Sequence, residues 1–270
     1  YMVSAINYTR KNTREIQKLL AENLNSLKPG TSYPIQWKLN ENKFQLIDFK
    51  GYEAGKKASE VSGKPRLFYD RNKPFTRKVK FFNEYTPTKS IRVPNYYVIP
   101  KSEGKIIENL KRNQIKFKEL QSDSLITVES YKIVDFKTVK NPYEGHYLHF
   151  DTQVSSELKT KKFRKGDYLV STKQSGVKFL LETLEPEAVD SYFNWNFFDG
   201  ILGQKEYFSD YVFEDTAAEL LKTNKALKTA FELKKASDAK FAEDGAAQLD
   251  WVYKNSEYYE GTVNQYPIYR

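Results

Sequence analysis

Apolar residues open the chain at helical spacing. Met2, Ile6, Thr9, Thr13, Ile16, Leu20 and Leu27 fall on one face, while Arg10, Lys11, Arg14, Glu15 and Lys18 lie largely off that stripe. The pattern predicts a helix over 2–27, stopped by Pro29-Gly30. From residue 31 the period shortens to two. Tyr33–Leu39 and part of Phe44–Phe49 alternate, and Lys64–Asp70, Thr76–Phe82, Ser90–Val93 and Tyr96–Ile99 are further strand candidates. Gly51–Gly63 has no periodicity and many charges, so it reads as a mobile loop. Gly104–Asn113 is expected to be a helix capped by Ser102-Glu103, with Ile106, Ile107 and Leu110 on one face. Ile115–Leu120, Leu125–Val139, Gly145–Val154, Lys161–Phe163 and Tyr168–Val170 continue the strand text.

The last third is helical again. Lys178–Leu184 ends at Pro186, Asp215–Leu221 is expected to be capped by Asp215 and Thr216, and Leu227–Val252 is expected to break at Gly245. The fold class that follows is α+β: a β-rich, antiparallel, sandwich-like middle flanked by an N-terminal helix and a helical C-terminal third. The expected organisation is a helix over 1–30, a β-rich domain over 31–175 and a mostly helical segment over 176–270 packed on it.

Composition narrows the chemistry. The 270 residues include no cysteine, which removes disulfide frameworks, cysteine nucleophiles and thiolate metal sites. Only two histidines are present, so most zinc sites and most serine–histidine systems lack their usual groups. Lys plus Arg is 44 against 35 Asp plus Glu, a formal charge of +9. The aromatic content, 20 Tyr, 18 Phe and 3 Trp, argues for a packed core rather than disorder. No apolar run is long enough to cross a membrane as a helix, and no signal sequence is visible at Tyr1-Met2-Val3-Ser4. A helix that begins without a cap or a preceding turn fits a start inside a longer polypeptide as well as an ordinary N-terminal helix.

Glu144, His146 and His149 are the one metal-like cluster. In a strand, residues three apart point to opposite faces, so the two rings are expected to diverge and to be structural. Glu182, Glu185 and Glu187, and Asp210, Glu214 and Asp215, are dense in carboxylates but read as surface acids and caps. The basic runs Arg10–Arg14, Lys64–Lys80 and Lys159–Lys165 interleave with Phe68, Tyr69, Phe75, Phe81 and Phe163, a composition that suits stacking of single-stranded nucleic acid. The many acids and the alternation with apolar residues favour a solvated strand face instead, and nucleic acid is the third-ranked partner. Exposed Tyr and Trp can also stack on sugar rings, so an independent sandwich that binds glycans or peptides is the second reading.

The stretch from Leu180 to Asp215 carries more information. Leu184-Glu185-Pro186-Glu187, Asp190-Ser191, Trp195-Asn196-Phe197-Phe198-Asp199 and Tyr207-Phe208-Ser209, led in by Gly166-Asp167-Tyr168-Leu169-Val170 and Gln174, resemble the C-terminal part of bacterial zinc carboxypeptidase-like proteins, relatives of carboxypeptidase A. The resemblance implies an upstream peptidase domain as partner, closed by a helix like Met2–Leu27, a peptide substrate, and export to a secreted or periplasmic location. It implies zinc and a glutamate base in that upstream half. No His-x-x-Glu occurs in this chain, so no catalytic residue, metal ligand or cofactor carries over, and the chain by itself is expected to be inactive. Trp195, Asn196, Phe197, Phe198 and Asp199 are left as candidates for interdomain packing or for facing substrate, with the Trp195, Phe197 and Phe198 rings expected to bury large areas and Asn196 and Asp199 to tie the loop down.

Overall fold

The computed structural model describes residues 1–205 and 207–270; Glu206, inside the aromatic stretch singled out above, lies outside the described residues. Helices and antiparallel strands come in separate runs, with a strand-rich middle between helical ends, so the mixed α+β class holds. The chain divides into two compact units, one of residues 1–29 with 94–270 and one of residues 30–93. That division cuts the expected 31–175 domain after Val93 and joins the opening helical segment to the C-terminal two thirds.

The opening segment forms two helices, α1 (Met2–Lys11) and α2 (Thr13–Ser26), rather than one. The break falls at Asn12, whose side chain bonds back to the carbonyl of Tyr8 instead of continuing outward. Neither helix buries a residue.

In the 30–93 unit, β1 (Ser32–Leu39) pairs with β4 (Tyr85–Arg92), and β2 (Gln45–Ala58) pairs with β3 (Pro65–Phe81) as a long two-stranded ribbon. This corrects two expectations. Residues 51–58 are strand, not loop, and the two strand candidates within 64–82 are one strand. The period-two signal is lost at Gly51 and Gly55 because the cross-strand rings of Phe75 and Phe68 occupy the space where their side chains would be. A Cβ on Gly51 would lie 2.7 Å from the Phe75 ring and one on Gly55 2.8 Å from the Phe68 ring. The basic run of this ribbon is partly neutralised by acids across the strands, as in Lys78–Asp48 at 2.9 Å and the Arg77–Glu53 pair.

In the larger unit, β5 (Tyr96–Ile99), β6 (Lys118–Glu119), β7 (Ser124–Thr138), β8 (His149–Phe163), β9 (Tyr168–Ser171) and β10 (Gln265–Tyr269) form a six-stranded sheet in the order β6-β9-β5-β10-β7-β8. The strand expected over 115–120 is reduced to β6. The strand expected from residue 145 starts at His149 and runs on through the separate candidate at 161–163. The last strand, β10, was not foreseen and lies in the middle of the sheet, antiparallel to both β5 and β7.

Helix α3 (Gly104–Arg112) buries Ile106, Ile107 and Leu110 as expected, but Ser102 bonds the Glu103 carboxylate at 3.0 Å rather than capping the helix. Helix α4 (Val177–Leu184) buries Val177, Leu180, Leu181 and Leu184. The C-terminal helices are α5 (Asp210–Thr223), α6 (Lys225–Ser237), α7 (Ala239–Glu243) and α8 (Gly245–Lys254). The capping positions differ from expectation. Asp215 and Thr216 lie inside α5, and the break before Gly245 is joined by a second one at Asp238. The side chains of Asn224, Asp238 and Asp244 accept from the backbone N–H groups of Leu227, Phe241 and Ala247, one at the start of each of the last three helices. Their shared core includes Phe213, Ala217, Leu227, Phe231, Phe241, Val252 and Tyr253.

The β7–β8 end of the sheet is held by Asp123. Its carboxylate accepts from the Lys165 backbone N–H and from Arg164, each at 3.0 Å, and lies 3.2 Å from the Lys162 ammonium. That backbone N–H first, and then the two cations, hold its pKa at about 2, below the ordinary 3.8. A depressed carboxylate contributes stability above its unfolded pKa and loses it as pH falls through the folded one. Asp123→Asn is therefore expected to flatten the acid limb of the stability profile between pH 3.8 and about 2. Urea midpoints across that range check this, and an unchanged slope would remove Asp123 from the account.

Candidate functional site

The aromatic block follows α4. Past Pro186 the chain winds through successive tight turns: Trp195 N–H donates to Ser191 C=O, Asn196 N–H to Phe193 C=O and Phe197 N–H to Tyr192 C=O, all at 3.0 Å. Asn196 adopts φ +64°, a left-handed conformation that asparagine tolerates better than most residues. The winding sorts the rings. Tyr192, Phe193 and Phe198 are buried, whereas Trp195 is half-buried and Phe197 is 37% exposed. Phe198 packs edge-on against Tyr266 of β10 at 5.2 Å, and Phe193 against Phe136 of β7 at 5.6 Å. Of the three rings expected to bury large areas, Phe198 does so, Trp195 only in part and Phe197 does not; Phe193 and Phe198 anchor the block.

His149, the first residue of β8, is buried and ties this block to the sheet. Its Nδ1 lies 2.9 Å from Thr138 Oγ1, and its Nε2 lies 3.1 Å from both Asp199 Oδ1 and Asn196 Nδ2. Thr138 Oγ1 can donate to Nδ1 and Nε2–H to Asp199, with Asn196 donating to Tyr147 C=O at 2.8 Å and towards Asp199 at 3.5 Å, while the buried Asn196 Oδ1 accepts from no group among the described residues. The ring also packs on Phe136 at 4.6 Å and on Phe193 at 5.1 Å.

His146 belongs to a different environment, for a reason the period-two reading did not contain. It is not in a strand. Tyr143 and His146 exchange both backbone hydrogen bonds at 2.9 Å around a two-residue turn, Glu144 at φ +48° and Gly145 at φ +82°. Two successive positive φ values are the signature of the tight hairpin turn that glycine favours. The His146 ring lies parallel to Phe197 at 6.3 Å and edge-on to Trp195 at 5.5 Å, while Tyr143 reaches Trp195 at 6.3 Å. Glu144 is exposed in the turn.

The structure therefore sets the block between two separate histidines, His149 against Asn196 and Asp199 and His146 against Trp195 and Phe197, while Phe198 faces the sheet. The donor set does not fit a zinc ion: both His149 nitrogens are engaged in hydrogen bonds, and His146 stacks among rings. Among the described residues no group of three or more His, Asp or Glu is placed to hold a metal. What the His146 side offers is a firm shelf of Tyr143, His146, Trp195 and Phe197, able to stack on a flat or ring-shaped group.

Asn194 was missed by sequence reasoning. It is buried, accepts from Thr152 Oγ1 at 2.7 Å and donates to Ala188 C=O at 2.9 Å, and its own carbonyl accepts from the His149 backbone N–H at 2.8 Å. An asparagine in an aromatic run carries no signal of that role. Glu185 was read as a surface acid, yet it is buried: its carboxylate accepts from Tyr97 OH at 2.5 Å and from Arg270 Nη1 at 3.0 Å. Compared with models of protein families, with curated proteins and with solved structures, the chain matches none.

Proposed function

We propose that this chain is the accessory portion of a zinc metallocarboxypeptidase-like protein, in which a separate catalytic unit hydrolyses peptides and this portion stabilises it or positions substrate. The observation that carries the reading is the bare apolar face of α1 and α2, where Met2, Ile6, Leu20 and Leu24 are all exposed. Helices of 10 and 14 residues that bury nothing are marginal in water and gain stability by laying such a face on a partner. The resemblance of residues 180–215 to the C-terminal part of that family supplies the kind of partner, and the shelf supplies a surface for an extended peptide.

The test is made on the native polypeptide that carries this segment, captured from its source with an antibody raised against α5–α8. Release of C-terminal amino acids from a peptide with a free carboxylate is expected, with loss on amidation of that carboxylate and on treatment with a zinc chelator. Absence of any release by the folded, zinc-supplemented protein would overturn the reading. In that event the second reading, a glycan- or peptide-binding module, rests on Trp195 and its flanking His146 and Tyr143 rings, and Trp195→Ala should abolish retention on an immobilised ligand.

A further inference from the structure

A cavity of about 350 Å³ opens where β5, β6 and β9 meet, away from the aromatic shelf. Its walls carry three lysines, Lys116, Lys118 and Lys173, beside the rings of Tyr96 and Phe117 and the hydroxyl of Ser171. No carboxylate lines it, and none of the three lysines has an ion pair among the described residues. Other lysines of this unit sit beside acids, as in Lys137–Asp151 and Lys254–Asp250, both at 2.7 Å, whereas these three share one concavity with no acid in its lining. Three like charges gathered around one concavity repel one another, and an anion in their midst relieves that repulsion.

The frame is fixed. The Gln174 carboxamide accepts from the Lys116 N–H at 2.8 Å and donates to the Lys116 and Ser171 carbonyls at 3.0 and 2.6 Å, clamping together two of the segments that carry the cavity. Phe117 is held edge-on by Tyr168 at 5.2 Å. The Ser171 hydroxyl accepts from the Lys173 N–H at 3.2 Å and keeps its own hydrogen to donate.

We propose that this cavity binds a small phosphate monoester that carries a flat ring. The ammonium groups and the Ser171 hydroxyl face the dianion, and Tyr96 and Phe117 cover the ring. The volume is that of a small-molecule site.

Calorimetric titration of the full chain tests this, with phenyl phosphate, inorganic phosphate and phenol as probes. Phenyl phosphate is expected to bind with a Kd of about 1 mM or tighter, roughly tenfold tighter than inorganic phosphate, with phenol weaker than both. Lys118→Gln/Lys173→Gln should weaken phenyl phosphate at least about tenfold, whereas Lys225→Gln/Lys228→Gln, which removes the same charge from α6, should not. Equal weakening in the two variants, or unchanged binding in the cavity variant, would overturn the assignment. Equal affinity for inorganic phosphate would overturn the role of the rings. Protection of Lys173 from acetylation by phenyl phosphate in the unmodified chain gives a readout independent of the variants' folding, and lack of protection counts against the site.

Discussion

Arg270→Ala is expected to destabilise the larger unit by about 3–5 kcal/mol, because it strands a buried carboxylate. Arg270 follows β10, and its side chain is 9% exposed. Its Nη1 lies 3.0 Å from Glu185 Oε1 and its Nε 3.0 Å from Glu129 Oε2, and Nη1 also donates to Tyr131 OH at 2.8 Å. Glu185, at 2% side-chain exposure, depends on that guanidinium and on Tyr97 OH for its charge. Burial pushes the Glu185 carboxyl above its ordinary range, while Arg270 and the tyrosine hydroxyls pull it partly back.

The sign of the pH dependence follows. A carboxyl whose folded pKa is raised contributes stability at pH values below its unfolded pKa and loses it as pH rises through the folded one. Removing Arg270 raises the folded pKa further. The loss is therefore expected to be larger near neutrality than at about pH 4, where protonation neutralises the stranded group. Urea titrations of both proteins at the two pH values check this. A difference below about 1 kcal/mol at neutrality would show that the network is not a buried one. Replacing both partners, as Glu185→Leu/Arg270→Met, should recover most of the loss, since paired apolar groups need no compensation.

Phe193→Ala is expected to cost about 3–5 kcal/mol, the range of a fully buried ring replaced by a cavity. Phe193 is 0% exposed and lies against both Phe136 and His149, so its loss also loosens the ring whose hydrogen bonds hold Asn196 and Asp199. Trp195→Ala, two residues along, is expected to cost at most about half as much, because the indole is only partly covered and water can fill the space it leaves. Equilibrium denaturation of the two variants decides between them. A Trp195 cost equal to that of Phe193 would mean that the shelf is part of the core and unavailable to a ligand. With the expected order, the shelf can be stripped of Trp195 without unfolding the protein, which makes binding assays on that variant interpretable.

Several elements were determined by the sequence alone, because their periodicity is local. The alternation of residues 33–39 and the long extended run after Leu125 yield β1 and β7 nearly as drawn. The stripe of Ile106, Ile107 and Leu110 yields α3, and the aromatic density of residues 192–199 marks the block that builds the shelf. Lack of cysteine and the presence of only two histidines likewise narrowed the chemistry before any fold was known. Tertiary structure decided the rest. Gln265–Tyr269 fell within the segment expected to be mostly helical, yet it becomes a middle strand of the larger sheet, since its partners in β5 and β7 lie more than a hundred residues earlier and no short-range pattern reports them. Gly51 and Gly55 erase the strand signal that the rings across the ribbon restore. Turn geometry, not composition, sends Phe193 and Phe198 inward and leaves Phe197 outside. Lys116, Lys118 and Lys173 become one cluster only because β9 pairs with β6, bringing side chains together that sequence distance keeps apart.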